Sequence, residues 1–129
     1  MPALQEKCIA LLSKTAIADL SSEVETTIYT VPVGKTCILT EAWIKVAGDV
    51  GAAGVFTIGQ DGAETDFATI HSDNLDANLD CTIIKPVAVA DAPPTLKEYV
   101  ASELIKFDVA TAGNAVAATV YLFGFLDDA

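Results

Sequence analysis

An all-β fold, an antiparallel β-sandwich, is what the sequence predicts, and three observations predict it. Runs rich in Val, Ile, Thr and aromatic residues are short, and glycine and proline separate them at close intervals. The segment 103–109 alternates strictly between two side-chain directions, and so does 116–126. At 129 residues the chain is the size of one domain and buries a core without disulfide staples.

The elements follow in order. Residues 26–31 form a strand that ends at Pro32-Val33-Gly34-Lys35, where a fixed φ next to a flexible glycine permits a reversal. In 36–46, Ile38, Ala42, Ile44 and Val46 share one face while Cys37, Leu39, Glu41, Trp43 and Lys45 share the other, so both sides need cover and the strand is central. A glycine-rich loop, 48–54, leads to a short strand at 55–58, a turn at 59–62 and another strand at 66–71. The polar stretch 72–80 is an ordered loop whose Leu75 and Leu79 tuck inward. The β pattern resumes at 81–89, where Pro86 requires an edge or a bulge. Residues 91–94 are a break. Segment 95–102 reads either as one helical turn, from the capping-box spacing of Thr95 and Glu98, or as a loop. Residues 103–109 point Ile105, Phe107 and Val109 one way, and Ala112-Gly113-Asn114 turns the chain into 116–126 as a hairpin with positive φ at the turn.

Composition excludes several functions. A net charge of -11 repels phosphate backbones and anionic headgroups, which removes nucleic acid and membrane surfaces as partners. All seven basic residues are lysines, so no guanidinium fork is present for bidentate anion recognition. The apolar stretch beginning at Cys8 is far shorter than the ~20 residues of a membrane span, and no export signal is evident. Cys8, Cys37 and Cys81 are too widely spaced for a zinc site and read as reduced, mostly buried core residues.

Candidate chemistry is sparse, and no cofactor is implied. Asp73, Asp76 and Asp80, with Asn74 and Asn78, offer oxygen ligands of the kind calcium takes, but lack the glycine and terminal glutamate of an EF-hand loop, so a solvated acidic loop is the better reading. Asp61-Gly62 with Glu64 and Asp66 is a weaker version of the same pattern. The neighbours His71, Ser72 and Asp73 do not make a triad, because adjacent strand residues point to opposite faces. A single histidine and no phosphate-cradling loop argue against an enzyme.

The last strand carries the most information. Val116, Ala118, Val120, Leu122 and Leu126 line one face, and Ala117, Thr119, Tyr121, Phe123 and Phe125 the other. A sandwich strand ordinarily turns one face to water, so Tyr121, Phe123 and Phe125 need a cover: either residues 1–22 of the same chain or another subunit, which by closure would form a ring, most simply a trimer.

The corner Thr27-Ile-Tyr-Thr-Val-Pro-Val-Gly-Lys-Thr36 before a long strand, with the terminal Val120-Tyr-Leu-Phe-Gly-Phe-Leu126, resembles the capsid decoration (head-stabilisation) proteins of tailed bacteriophages. The resemblance covers 26–46 and 103–126. It implies a jelly-roll-like sandwich over 23–129 with residues 1–22 as an N-terminal arm, without catalytic residues. It further implies a homotrimer on the capsid surface of the virion, made in the host cytoplasm and clamping neighbouring subunits of the major capsid protein. The alternative is a carbohydrate- or receptor-binding module of a phage fibre or tail, with Trp43 and Tyr29 or Tyr99 as stacking platforms. A third reading, a small cupin-like isomerase or glycosidase, is disfavoured by the histidine count.

Overall fold

The computed structural model describes residues 8–75, 81–86 and 95–129. Among these residues nine strands follow in chain order: β1 (Ala10–Ile17), β2 (Glu25–Thr30), β3 (Lys35–Val46), β4 (Val55–Gln60), β5 (Ala63–His71), β6 (Thr82–Ile84), β7 (Glu98–Tyr99), β8 (Leu104–Thr111) and β9 (Ala118–Asp128). Sheet A has the order β1-β9-β3-β6, with β7 also on β3, and sheet B the order β2-β8-β4-β5. The described pairings are antiparallel, and four of them are nested: β1 with β9, β2 with β8, β3 with β6, β4 with β5. A long antiparallel ribbon rolled up on itself gives this order, and the result is the two-sheet jelly roll. Residues 10–17, within the segment read as an arm, lie in sheet A as β1, because their alternation of Ser13, Thr15 and Ile17 with Lys14 and Ala16 suits a strand paired along β9.

The core lies between the sheets. Sheet A contributes Cys37, Leu39, Ile44, Val46, Val120 and Leu122, and sheet B Ile28, Phe56, Ile58, Ile70, Ile105 and Phe107. Phe56 and Phe107 stack with ring centroids 5.8 Å apart, as neighbouring strands β4 and β8 place Phe107 opposite Ile58. Leu20, fully buried between β1 and β2, plugs one end of the sandwich, where its amide donates to the Val116 carbonyl and its carbonyl accepts from Gly113. Tyr99 is fully buried, and its hydroxyl donates to Asp66 Oδ1 at 2.9 Å, a polar link from sheet A to sheet B. Asp66 also accepts from the Gln60 amide and from Lys97.

Three sequence readings are corrected. First, β8 and β9 are not a hairpin: they belong to different sheets, and residues 112–117 cross between them. Gly113 and Asn114 have no positive φ. Gly113 is needed for space, since a Cβ there would lie 2.7 Å from Val50 Cγ1, while Asn114 donates its amide to the Val50 carbonyl. Second, β3 does not keep one alternation, because its register against β9 shifts between Leu39 and Glu41. The extra residue reverses the faces, so Cys37 and Leu39 point inward together with Ala42, Ile44 and Val46, while Ile38, Glu41, Trp43 and Lys45 point outward. Third, 95–102 contains neither a helical turn nor only loop: Glu98 and Tyr99 pair with Ile38 and Cys37. The turn at Pro32 to Lys35 is as expected, with Gly34 at φ +79° and the Lys35 amide donating to the Pro32 carbonyl.

Candidate functional site

The alternation of β9 holds. Ala118, Val120, Leu122, Gly124 and Leu126 face the core, and Thr119, Tyr121, Phe123 and Phe125 lie half-buried on the outer face of sheet A. β1 joins β9 edge to edge, so residues 10–17 extend this face laterally instead of lying across it. Register builds the face in rows. Lys14, Tyr121, Trp43 and Ile83 are side by side, Leu11 and Glu41 flank Phe123, and Ile38 and Glu98 follow Phe125. Trp43 packs on Phe123 with centroids 4.4 Å apart and on Tyr121 at 6.2 Å, and its indole N–H donates to Glu41 Oε2 at 2.6 Å. Lys14 sits 5.7 Å above the Tyr121 ring. At the margins Leu11 is 43% and Ile83 58% exposed, so the aromatic band continues into open apolar surface.

Gly124 explains why the band is continuous. Both neighbouring strands bulge beside it, β1 between Leu11 and Ser13 and β3 between Leu39 and Glu41. A Cβ at Gly124 would lie 2.5 Å from the Ile38 carbonyl oxygen and 2.9 Å from Leu12 Cδ1. The two bulges close in on a position without a side chain, and Leu12 fills the space on the core side.

At one end of the face, Lys14, Lys45 and Tyr121 border a shallow cavity of about 420 Å³ floored by Ala16, Ala117 and Thr119. This arrangement can hold an apolar group carrying a carboxylate, with two ammonium groups at its rim. Sequence reading named Tyr121, Phe123 and Phe125 but missed Trp43, Lys14 and Lys45 as their neighbours. Only the cross-strand register brings these together.

The other sequence-marked residues are scattered. His71 and Asp73 are exposed, while Ser72 is buried with its hydroxyl accepting from the Gly54 amide at 2.9 Å and donating to the Gly51 carbonyl at 2.7 Å. That hydroxyl is committed to holding the loop. Leu75 packs against the core as expected; Leu79, Asp76, Asn78 and Asp80 lie outside the described residues. Tyr99 is sealed in the interior and cannot serve as a sugar platform, and Tyr29 is half-buried. Cys37 is buried, and burial pushes its thiol up to about 12. Cys8 and Cys81 are exposed, contrary to the expectation of mostly buried thiols, because both lie outside the paired strands.

Of the Asp61, Glu64 and Asp66 group, Asp66 is taken by Tyr99, whereas Asp61 and Glu64 meet Glu25, all three within 4.8 Å of one another. A hydrogen bond with Glu64 holds the Glu25 carboxyl above its ordinary value, helped by desolvation and the charges of Glu64, Asp108 and Asp61. Glu64 is held below its ordinary value, first by the Gly62 amide and its own amide and further by Glu25 and Lys106. Desolvation raises Asp108.

No protein-family model matches the chain, and no curated protein matches it. In fold it is similar to a chain of a solved structure described as the acidic stable capsid structure of Helicobacter pylori bacteriophage KHP30. The likeness covers 93% of this chain and 89% of that one at 13% identity, with a TM-score of 0.63.

Proposed function

We propose that this chain is a non-enzymatic structural protein of a phage virion, decorating and stabilising the capsid by binding across major capsid subunits as a homotrimer. The observation that carries the reading is the aromatic outer face of sheet A. A jelly roll completes its core between its sheets, so a second apolar surface on the outward side of a strand is there to meet another molecule. Tyr121, Phe123 and Phe125 form the subunit interface, extended by Trp43. The similarity in fold to a phage capsid structure supports the setting. Contacts repeated by symmetry add up through avidity, so capsid binding needs no conspicuous single site. The net charge of -11 keeps the protein off nucleic acid during assembly. The site of action is the capsid surface, after synthesis in the host cytoplasm.

The test is addition of the purified protein to undecorated heads. Saturation at a fixed ratio to capsid subunits, with heads then resisting heat or chelator better, is expected. Failure to co-sediment with heads at any concentration refutes the proposal.

A further inference from the structure

We infer that the outer face of sheet B holds a calcium ion, taken by the carboxylates of Glu25, Asp61 and Glu64, with the Asp108 carboxylate and the Thr57 hydroxyl on its inner side. The site lies on the sheet that the assembly proposed above does not use, so either reading can fail without the other. Glu25 comes from β2, Asp61 from the turn between β4 and β5, and Glu64 from β5, and each offers an oxygen within 4.8 Å of the others. Three atoms so spaced all lie within about 2.8 Å of a common point, close to the ~2.3–2.6 Å at which calcium takes oxygen. The Gly62 amide donates to Glu64 Oε1 at 3.1 Å and fixes that carboxylate in place. Glu25 and Asp61 are exposed, which leaves room for the waters that complete a calcium shell. Magnesium suits the site less, because it demands a near-ideal octahedron.

Carboxylates alone would make a solvated acidic surface. Thr57 sets this one apart. Phe56 and Ile58 point into the core, so Thr57 between them points outward, in one row with Asp108 of β8 and Glu25 of β2. An outward residue is ordinarily wet, yet Thr57 is 3% exposed and its hydroxyl has no hydrogen-bond partner among the described residues. The chain folds back over this face at the next outward position, where a Cβ on Gly59 would stand 2.6 Å from the Glu64 carbonyl carbon. The Thr57 side chain is thereby set between Asp108 and the segment that carries Glu64. A buried hydroxyl without a partner is costly, and a cation beside it takes up its lone pair directly or through a bound water. Lys106 faces Glu64, but one ammonium does not balance four carboxylates.

Calcium titration of the chelator-treated full chain tests this, by calorimetry and by thermal melts with and without the metal. One ion per chain is expected, with a dissociation constant on the order of 10⁻⁴–10⁻³ M. Calcium at about 10 mM should raise the melting temperature by roughly 5 °C or more, and magnesium at the same ionic strength far less. Asp61→Asn should weaken binding about tenfold or more, while Asp127→Asn, which removes an exposed carboxylate on sheet A, leaves it unchanged. Thr57→Val should melt no lower than wild type in EDTA, since it removes an unpartnered hydroxyl, yet bind calcium several-fold more weakly. The gain should fade in acid, where the proton that Glu25 shares with Glu64, held there also by the charges of Asp108 and Asp61, competes with the ion. No gain from calcium, an equal gain from magnesium, or wild-type calcium affinity in either Asp61→Asn or Thr57→Val overturns the inference.

Discussion

Replacing Gly124 by alanine adds one methyl group at the point where two bulges converge. The new Cβ would stand 2.5 Å from the Ile38 carbonyl oxygen, a separation that requires more than half an ångström of movement by backbone. The Leu12 contact, 2.9 Å, is with the end of a side chain and is relieved by rotation. Relief at Ile38 instead shifts the β3 bulge, which sets the inward direction of Ala42, Ile44 and Val46. Overpacking of this kind costs about 1–3 kcal/mol, and a backbone obstacle places Gly124→Ala in the upper half of that range. For a chain of this size each kcal/mol moves the midpoint by roughly 3–5 °C, so the variant should melt about 10 °C below wild type. Gly48→Ala is the matched control, since its Cβ meets only Val116 Cγ1 at 3.5 Å, and it should stay within about 0.5 kcal/mol. Thermal and urea unfolding of the three proteins gives the answer. If Gly124→Ala and Gly48→Ala melt together, the bulges do not close on Gly124 and the description of the outer face is wrong.

Other expectations follow from single contacts. Tyr99→Phe removes the donor to Asp66 and should cost about 1.5–3 kcal/mol in urea unfolding; no loss would mean that the link between the sheets is idle. Glu25 is held above its ordinary value of 4.5 in the folded state, so its contribution favours folding below that value and is lost as pH rises through the raised one. Glu25→Gln should therefore raise the melting temperature at neutral pH, with the advantage vanishing below pH 4.5; an advantage independent of pH would contradict the assignment. With iodoacetamide under native conditions, peptide mapping should find Cys81 modified rapidly and Cys37 only after unfolding, given its burial and raised thiol.

What the sequence made legible was local. The alternation of β8 and β9, the turn at Gly34 and the two-faced character of β9 needed only neighbours along the chain. The β3 bulge was hidden because no residue near Thr40 announces it; its cause is Gly124, far away in sequence. Gly113-Asn114 misled for a related reason. A glycine required for close approach to Val50 looks the same in a sequence as one required for a tight hairpin. The outer face was half legible: Tyr121, Phe123 and Phe125 declared themselves, whereas Lys14, Trp43 and Ile83 join them only through pairing across three strands. Glu25 is likewise brought to Asp61 and Glu64 by the rolling of the ribbon and not by spacing.

The nesting of the strands also dictates an order of events at the ribosome. β9 lies between β1 and β3, so sheet A has no centre until residues 118–128 have emerged, and β1 must wait for a partner made last. The hairpin of β4 and β5 can form early, from the middle outward, and β3 can take β6 and β7 on one side, while β1 and the other edge of β3 stay apart and unpaired. Premature termination anywhere before Ala118 thus leaves two apolar strands without their shared neighbour, a nascent chain suited to chaperone capture and proteolysis rather than to partial function.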